Sequence, residues 1–263
     1  MDFGLAGRVA LVAASSKGLG RAVAEELAAE GAHLVMCARG EEALAEAVAS
    51  ADVCGPGDVL SVPTDLSDPG GVAALTDAAL ERFGRVDILV NNAGGPPTGK
   101  FEDHDAAAWQ RAVRLNLESA LELTRAVLPG MKERGWGRIL NITSIAVREP
   151  VDGLILSNSV RAAVTGFAKT LSNEVAAFGV TVNNVLPGFT RTARLEELAE
   201  AVARAGGASR EEVEVGWRAV IPANRLGDPR EFAAVVAFLA SERASYVTGV
   251  SIAVDGGRTR ALY

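Results

Sequence analysis

Short apolar runs of strand length alternate with amphipathic segments of helical spacing along nearly the whole chain, and few architectures accept that rhythm. Arg8 to Ala13 reads as a strand and Leu19 to Glu30 as a helix, which Gly31 is placed to end. His33 to Cys37 then reads as a strand, Glu41 to Ser50 as a helix and Asp58 to Pro63 as a third strand. Val72 to Phe83 is helical up to Gly84, and Val86 to Asn91 is a fourth strand. A long helical stretch runs from about Asp105 to Arg134, with an interruption expected near Pro129. Arg138 to Thr143 is strand-like, and a helix from about Ser159 to Phe178 stops at Gly179. Val180 to Leu186 is a sixth strand, and Gly249 to Val254 a seventh after a helix over Pro229 to Glu242. The strands are apolar on consecutive residues, as in a parallel sheet covered on both faces. The expectation is therefore one α/β domain over residues 1–263: a doubly wound, seven-stranded, mainly parallel sheet with helices on both sides.

One interval breaks the rhythm. Thr190 to Gly227 follows a strand's carboxyl end and holds helix-forming residues from Arg194 to Ala205. In a doubly wound sheet a ligand lies there, so this insertion is expected to cover it.

Bulk properties narrow the partners. Hydrophobic residues make up 49% of the chain and aromatics only 5%, with 28 glycines, which suits helices packed closely on parallel strands. A net charge of −7 argues against a nucleic-acid or anionic-membrane surface. Met1-Asp2-Phe3 lacks the basic start of a signal peptide, and the apolar run Val9–Ala14 is too short to span a bilayer. Cys37 and Cys54 form no metal-ligand spacing, so no metal site is expected and both are expected as reduced thiols of a cytoplasmic protein.

The turn after the first strand reads Ala13-Ala14-Ser15-Ser16-Lys17-Gly18-Leu19-Gly20 and leads straight into a helix. Gly18 and Gly20 let the backbone turn tightly against a pyrophosphate, which a helix N-terminus stabilises. The second strand ends Met36-Cys37-Ala38-Arg39, with no acid to bind a ribose 2′-hydroxyl. Arg39 and Lys17 instead offer two cations for a 2′-phosphate, which points to NADP(H); the bland alternative is a pair of solvated surface charges.

These segments resemble the short-chain dehydrogenases/reductases, a family with a Rossmann fold, and the likeness covers essentially the whole chain. The family's loop, Thr-Gly-x-x-x-Gly-x-Gly, is matched from Ala13 to Gly20 except at Ala13 and Ala14. Ala14 stands for the first glycine and is expected to keep an ordinary backbone angle, which would reshape the turn slightly. The resemblance implies that Ser15, Ser16, Lys17, Gly18, Leu19 and Gly20 hold the cofactor's phosphates. It places Asp65 and Leu66 at the adenine, and Asn92, Ala93 and Gly94 of the Asn91-Asn92-Ala93-Gly94 motif near the ribose. Pro187, Gly188, Thr190 and Thr192 resemble the segment that holds the nicotinamide amide and the pyrophosphate.

At the catalytic positions the chain departs from that pattern. The family uses an Asn, a Ser, a Tyr that donates a proton, and a Lys four residues later that lowers the Tyr pKa and holds the ribose. Asn116 and Ser144 match. Thirteen residues after Ser144, however, the Tyr is Ser157 and the Lys is Arg161; the following Ala162-Ala163-Val164-Thr165-Gly166-Phe167 fixes this register. The only tyrosines, Tyr246 and Tyr263, lie outside the motif. Serine is a far weaker acid than a phenol, and arginine relays protons poorly, while Arg161 is still expected to bind the cofactor by holding its ribose hydroxyls. Losing a general acid removes roughly 10²–10⁴-fold in rate, about 3–5 kcal/mol of barrier. Glu118, Glu149, Asp152 and His104 are conceivable replacement donors that the sequence alone does not place.

Two readings follow. The first is an NADP(H)-dependent oxidoreductase acting on a small carbonyl or alcohol, by resemblance a ketone or 3-oxoacyl compound, with an altered Ser144/Ser157/Arg161 site. The second is a non-catalytic NADP(H)-binding scaffold or redox sensor. Halohydrin dehalogenases resemble the family and also carry Arg for Lys, but they keep the Tyr and lose the dinucleotide loop, the reverse of this chain. The apolar stretches Asn116–Val127 and Ala162–Leu171, which relatives pair between subunits, imply a homotetramer or homodimer, unless they serve as internal core. Trp109, Trp136 and Trp217 are expected to pack, with Trp217 in the insertion near a substrate.

Overall fold

A computed structural model describes residues 2–262. All seven strands are parallel and run in the order β3-β2-β1-β4-β5-β6-β7. They are β1 (Val9–Val12), β2 (His33–Ala38), β3 (Val59–Pro63), β4 (Ile88–Asn91), β5 (Gly137–Ile142), β6 (Val180–Pro187) and β7 (Ser251–Val254). The order reverses between β1 and β4, which opens a crevice above their carboxyl ends.

Successive strand residues point to opposite faces, and each face meets its own helices. Ala10, Val12, Leu34, Met36, Ile88 and Val90 pack with α1 (Gly18–Ala29), α2 (Glu41–Asp52) and α9 (Pro229–Ala240). Val9, Leu11, Val35, Leu89 and Ile139 pack with α3 (Pro69–Phe83), α5 (Ser119–Glu133) and α6 (Ile155–Val175). Each buried Val or Leu contributes about 1.5–3 kcal/mol, so the two layers account for most of the driving force.

The long helical stretch is irregular, though not where proline suggests. Pro129 lies inside α5 without ending it. Pro129 and Arg125 are both exposed, so the carbonyl that proline leaves unbonded can turn to water. The break comes earlier: α4 (Ala106–Val113) passes into a π-helical turn over Arg114–Glu118 before α5 begins. Such turns carry one extra residue and often serve a site, and this one turns Asn116 into the interior.

The insertion holds two helices, α7 (Ala193–Gly206) and α8 (Arg210–Ala219). The second has a sequence signal in the capping box Ser209-x-x-Glu212, where each side chain bonds the other's backbone N–H. Thr190 and Gly227 form an isolated parallel bridge, so the excursion leaves and rejoins the body at one point. Among the described residues no helix is long and apolar enough to cross a membrane.

At the carboxyl ends of β4 to β7 an amide ladder crosses the sheet. Asn91 Nδ2 donates to Asn141 Oδ1 (2.9 Å), Asn141 Nδ2 to Asn184 Oδ1 (3.1 Å), and Asn184 Nδ2 to Ser251 Oγ (3.1 Å). The three asparagines are 5%, 1% and 2% exposed, so water cannot replace a lost partner. Replacing Asn141 by leucine keeps the volume but strands a donor on Asn91 and an acceptor on Asn184. At about 1–3 kcal/mol for each orphaned group, Asn141→Leu is expected to lower unfolding stability by about 2–6 kcal/mol, read by denaturant titration.

Ala14 does not keep an ordinary angle. Its φ is +48°, the left-handed region that glycine favours, so the turn keeps its shape and the alanine carries the strain. That strain is about 1–2 kcal/mol, more than the roughly 0.4–1 kcal/mol of unfolded-state entropy a glycine adds. Ala14→Gly is therefore expected to stabilise the protein by about 0.5–1 kcal/mol, seen as a rise of roughly 1–4 °C in Tm; an unchanged or lower Tm would show that no strain is held there.

Candidate functional site

The loop after β1 is fastened from two sides. Ser15 is fully buried: its Oγ accepts from the Cys37 N–H at 3.1 Å, and its own N–H donates to the Cys37 carbonyl at 2.9 Å. Its side chain thus ties the loop to β2. From the other side Asn92 Nδ2 donates to the carbonyls of Ala13 and Ala14, both at 3.2 Å. Gly20 sits in the gap between them, where a Cβ would lie 2.4 Å from the Ala14 carbonyl oxygen and 2.7 Å from Asn92 Nδ2. Gly18 has φ +56°, and a Cβ there would touch Thr192 at 3.4 Å. The N-terminus of α1 opens into this cradle, with Lys17 at its N-cap and no acid in the first turn. The cradle therefore fits a pyrophosphate, with Thr192 above it.

Ser16 is half-buried, Lys17 exposed, and Leu19 packs under the loop on the core. Arg39 is exposed at the end of β2. Neither Lys17 nor Arg39 forms an ion pair among the described residues. Hydrogen bonds from the Ser67 N–H and O–H hold the Asp65 carboxyl below its usual range, and the charge of Arg39 adds to this. Leu66 is buried beside it. Ala93 is half-buried and Gly94 exposed, with open space where a Cβ would stand. Pro187 ends β6; Gly188 lies so close to Asp255 that a Cβ would come within 2.6 Å of it. Thr190 is buried at the base of the insertion, and Thr192 caps α7.

The altered catalytic positions come together. Ser144 ends the stretch after β5, and its Oγ accepts from the Ala146 N–H at 3.1 Å. The helix α6 begins before Ser157, so Ser157 and Arg161 stand one turn apart on one face. Arg161 Nε donates to Ser157 Oγ at 3.2 Å, and Arg161 Nη1 donates to the Ile142 and Thr143 carbonyls, each at 2.9 Å. Most of this guanidinium is thus spent on the end of β5, which leaves Nη2 for anything above it. The residue keeps some exposed surface while its guanidinium sits deep. That burial, with the charge of Arg194, pushes its pKa down to about 10, so it remains a cation at neutral pH.

Asn116 is buried in its π turn, its Nδ2 bonded to the Ala112 carbonyl at 3.2 Å. Asn91, Asn116, Asn141, Thr143 and Arg161 line a cavity of about 20 Å³, room for one water. Asn91 Oδ1, Asn116 Oδ1 and Thr143 Oγ1 have no protein partner.

Among the described residues none of the conceivable replacement donors is hydrogen-bonded to Ser144, Ser157 or Arg161. Glu118 pairs with Arg114, and Glu149 with Arg258 and the Arg260 N–H. Asp152 is exposed on a loop. His104 Nε2 is buried without a partner and packs beside Gly99. Tyr246 is fully exposed, and Tyr263 lies outside the described residues. The guanidiniums of Arg8 and Arg138 both lie over the Trp136 ring, and Trp109 packs near Phe101. Trp217 stacks on Phe189 of the strand-end segment, with centroids 4.8 Å apart and planes within 9°.

One residue of this crevice escaped the sequence reading. Arg194, in the first turn of α7, donates from Nη2 to the Pro96 carbonyl at 2.8 Å and lies against Gly95. It joins the insertion to the loop after β4, and no local motif marks it.

Comparison with known proteins agrees with this architecture. Residues 13–259 match the family model described as Enoyl-(Acyl carrier protein) reductase. The chain is 38% identical to a 3-oxoacyl-[acyl-carrier-protein] reductase of Vibrio cholerae, over 96% of its own length and 98% of that protein. L-sorbose reductase from Gluconobacter frateurii, solved with NADPH and L-sorbose, superposes with a TM-score of 0.94 at 35% identity, covering 100% of both chains. The F189W variant of actinorhodin polyketide ketoreductase, solved with NADPH, gives 0.93 at 34% identity, over 97% of this chain and 98% of that one. The chain belongs to the short-chain dehydrogenase/reductase family of oxidoreductases.

Proposed function

We propose that this protein is an NADP(H)-dependent reductase of a small carbonyl compound, working through Ser144, Ser157 and Arg161 in place of the usual phenol and ammonium. What carries the reading is how these side chains are bonded. The Ser144 and Ser157 oxygens each accept an N–H, which leaves both hydroxyl protons free to be donated. Two donors beside a buried cation make a place for a carbonyl oxygen that gains negative charge.

A reduced nicotinamide held by the loop after β1 and the 187–192 segment would supply the hydride, with its electron pair, that the carbonyl carbon takes up. Ser144 donates a hydrogen bond to the carbonyl oxygen. Ser157 passes its proton to that oxygen as charge develops, and water reprotonates the serine. The Arg161 Nε–H stabilises the Ser157 oxygen in between. The product is the alcohol and the oxidised cofactor. Asn116 supports the cavity behind Arg161, and Thr192 closes over the phosphates beside Gly18. NADP(H) also accounts for Lys17 and Arg39, two cations that form no ion pair among the described residues, where the 2′-phosphate would lie.

The competing reading is a protein that binds NADP(H) without turning it over, as a sensor or scaffold. It is favoured by the commitment of Arg161 Nη1 to two backbone carbonyls. Fluorescence titration with NADPH and NADH, followed by NADPH oxidation on a ketone panel, separates the two; binding without turnover leaves the sensor. As an assembly we propose a homotetramer or homodimer, because Ala162, Ala163 and Gly166 leave a smooth exposed face on α6; sedimentation measures it.

Two variants test the chemistry. Arg39→Ala is expected to raise the NADPH Kd about tenfold, the loss of roughly one charge-assisted hydrogen bond, with little change for NADH. Ser157→Tyr combined with Arg161→Lys is expected to raise kcat on an accepted ketone, by up to the roughly 10²–10⁴-fold that a positioned general acid contributes. A pair variant that binds NADPH but gains no rate would show that the missing phenol does not limit turnover.

A further inference from the structure

Resting on the reductase reading above, we propose that Glu149 is a positioning residue for Ser144: its carboxylate clamps the turn that carries the Ser144 hydroxyl to the segment after β7. Ser144 opens a short helical turn over Ile145–Val147, and its Oγ caps that turn by accepting the Ala146 N–H at 3.1 Å. The Arg148 and Glu149 N–H groups both donate to the Ile145 carbonyl, at 2.9 and 3.1 Å, so the turn is one piece from Ser144 to Glu149. Glu149 Oε2 accepts from Arg258 Nη1 at 3.0 Å, and Oε1 accepts from the Arg260 N–H at 2.6 Å. Both carboxylate oxygens are thus bonded to donors 109 and 111 residues further along the chain.

The segment that Glu149 grips is itself fastened. Asp255 accepts from the Gly257 N–H at 2.9 Å and from the Thr259 N–H at 2.8 Å, which folds 255–259 into a tight turn. On one side the Gly188 N–H donates to the Val254 carbonyl at 3.0 Å, beside the close approach of Gly188 to Asp255. On the other the Ala223 N–H donates to the Gly256 carbonyl at 3.0 Å, and a Cβ on Gly257 would come within 3.2 Å of Pro222. The segment after β7 therefore meets both the end of β6 and the exit limb of the insertion, and Glu149 adds the Ser144 turn to that junction. Arg148 makes a second attachment nearby, its Nη2 donating to the Ser251 carbonyl of β7.

Glu149 acts through the turn and has no proton to give. The Arg260 N–H, with the bond and charge of Arg258, holds its carboxyl below the usual range, so it is an acceptor at neutral pH. What it fixes is where the turn sits. Charge-assisted bonds such as these hold geometry more firmly than neutral ones. The Ser144 hydroxyl caps its own turn, so it moves with that turn, and a displacement of about 1 Å in a reacting group can cost on the order of 10²-fold in rate.

The test sets Glu149→Ala, Glu149→Gln and Arg258→Met beside the wild type, each as the full chain. With an accepted ketone, Glu149→Ala is expected to lower kcat about tenfold or more. Glu149→Gln should recover part of this, since its amide oxygen still accepts the Arg260 N–H. Arg258→Met should lower kcat as well, and adding it to Glu149→Ala should cost little more, because both break one clamp. NADPH Kd should stay within about twofold, because the phosphate cradle does not involve the clamp. In parallel, hydrogen exchange on the NADP⁺-saturated protein is expected to quicken across 144–149 in Glu149→Ala, the Ala146 amide reporting the Ser144 bond directly. A lowered Tm with kcat unchanged overturns the inference, and so does exchange that quickens at 255–260 while 144–149 stays protected. If the wild type reduces no ketone, the reductase reading fails by itself, and exchange alone decides the clamp: quickened exchange at 144–149 upholds it and unchanged exchange there overturns it.

Discussion

The amide ladder from Asn91 through Asn141 and Asn184 to Ser251 is the constraint on which the site's geometry rests. Backbone hydrogen bonds align neighbouring strands, but they do not by themselves fix how far each strand end projects into the crevice. The ladder does, because each amide must meet the next within about 3 Å. It sets the end of β4, which carries Asn92 to the phosphate loop, and the end of β5, whose last carbonyls hold Arg161. A slip of one residue would turn an amide into an apolar layer, where an unbonded polar group costs several times what the bond contributes.

Around this frame the unusual residues fall into two kinds. Ala14 changes the side chain and leaves the backbone path intact: the clamps from Ser15 and Asn92 hold a left-handed turn that alanine would not choose alone. Ser157 and Arg161 change the chemistry and keep the helix register. Arginine's longer fork reaches down to the β5 carbonyls and sideways to the serine at once. Serine is small enough to leave that fork its place. The two changes are complementary in space, which explains how both can occupy one face of α6 without disturbing it.

Most of the fold was legible in the sequence because its signals are local. Apolar runs of four to eight residues and glycines at Gly31, Gly84 and Gly179 mark strand and helix ends through backbone conformation alone. The π turn was not legible, since Asn116 fits a helical pattern whether or not the turn widens. Pro129 misled for the opposite reason, being a strong breaker whose lost bond falls on the solvent side. In the site, the residue types at Ser144, Ser157 and Arg161 were readable, and so was the absence of the phenol. Their bonding was not: Arg161 is held by carbonyls 18 and 19 residues away. Arg194 reaches Pro96 across 98 residues, a contact that only the folded chain reveals.

The bridge between Thr190 and Gly227 has a consequence for how such a protein diversifies. The 191–226 excursion begins and ends at neighbouring points, so its length and contents are uncoupled from the pairing of β6 with β7. Loop-closure entropy grows only slowly with length, and a change inside the excursion leaves the strand ends where they are. Selection can therefore rewrite the roof of the crevice, Arg194 and Trp217 included, while the floor stays in register. A new substrate range need not be found by rebuilding the machine that supplies the reducing power.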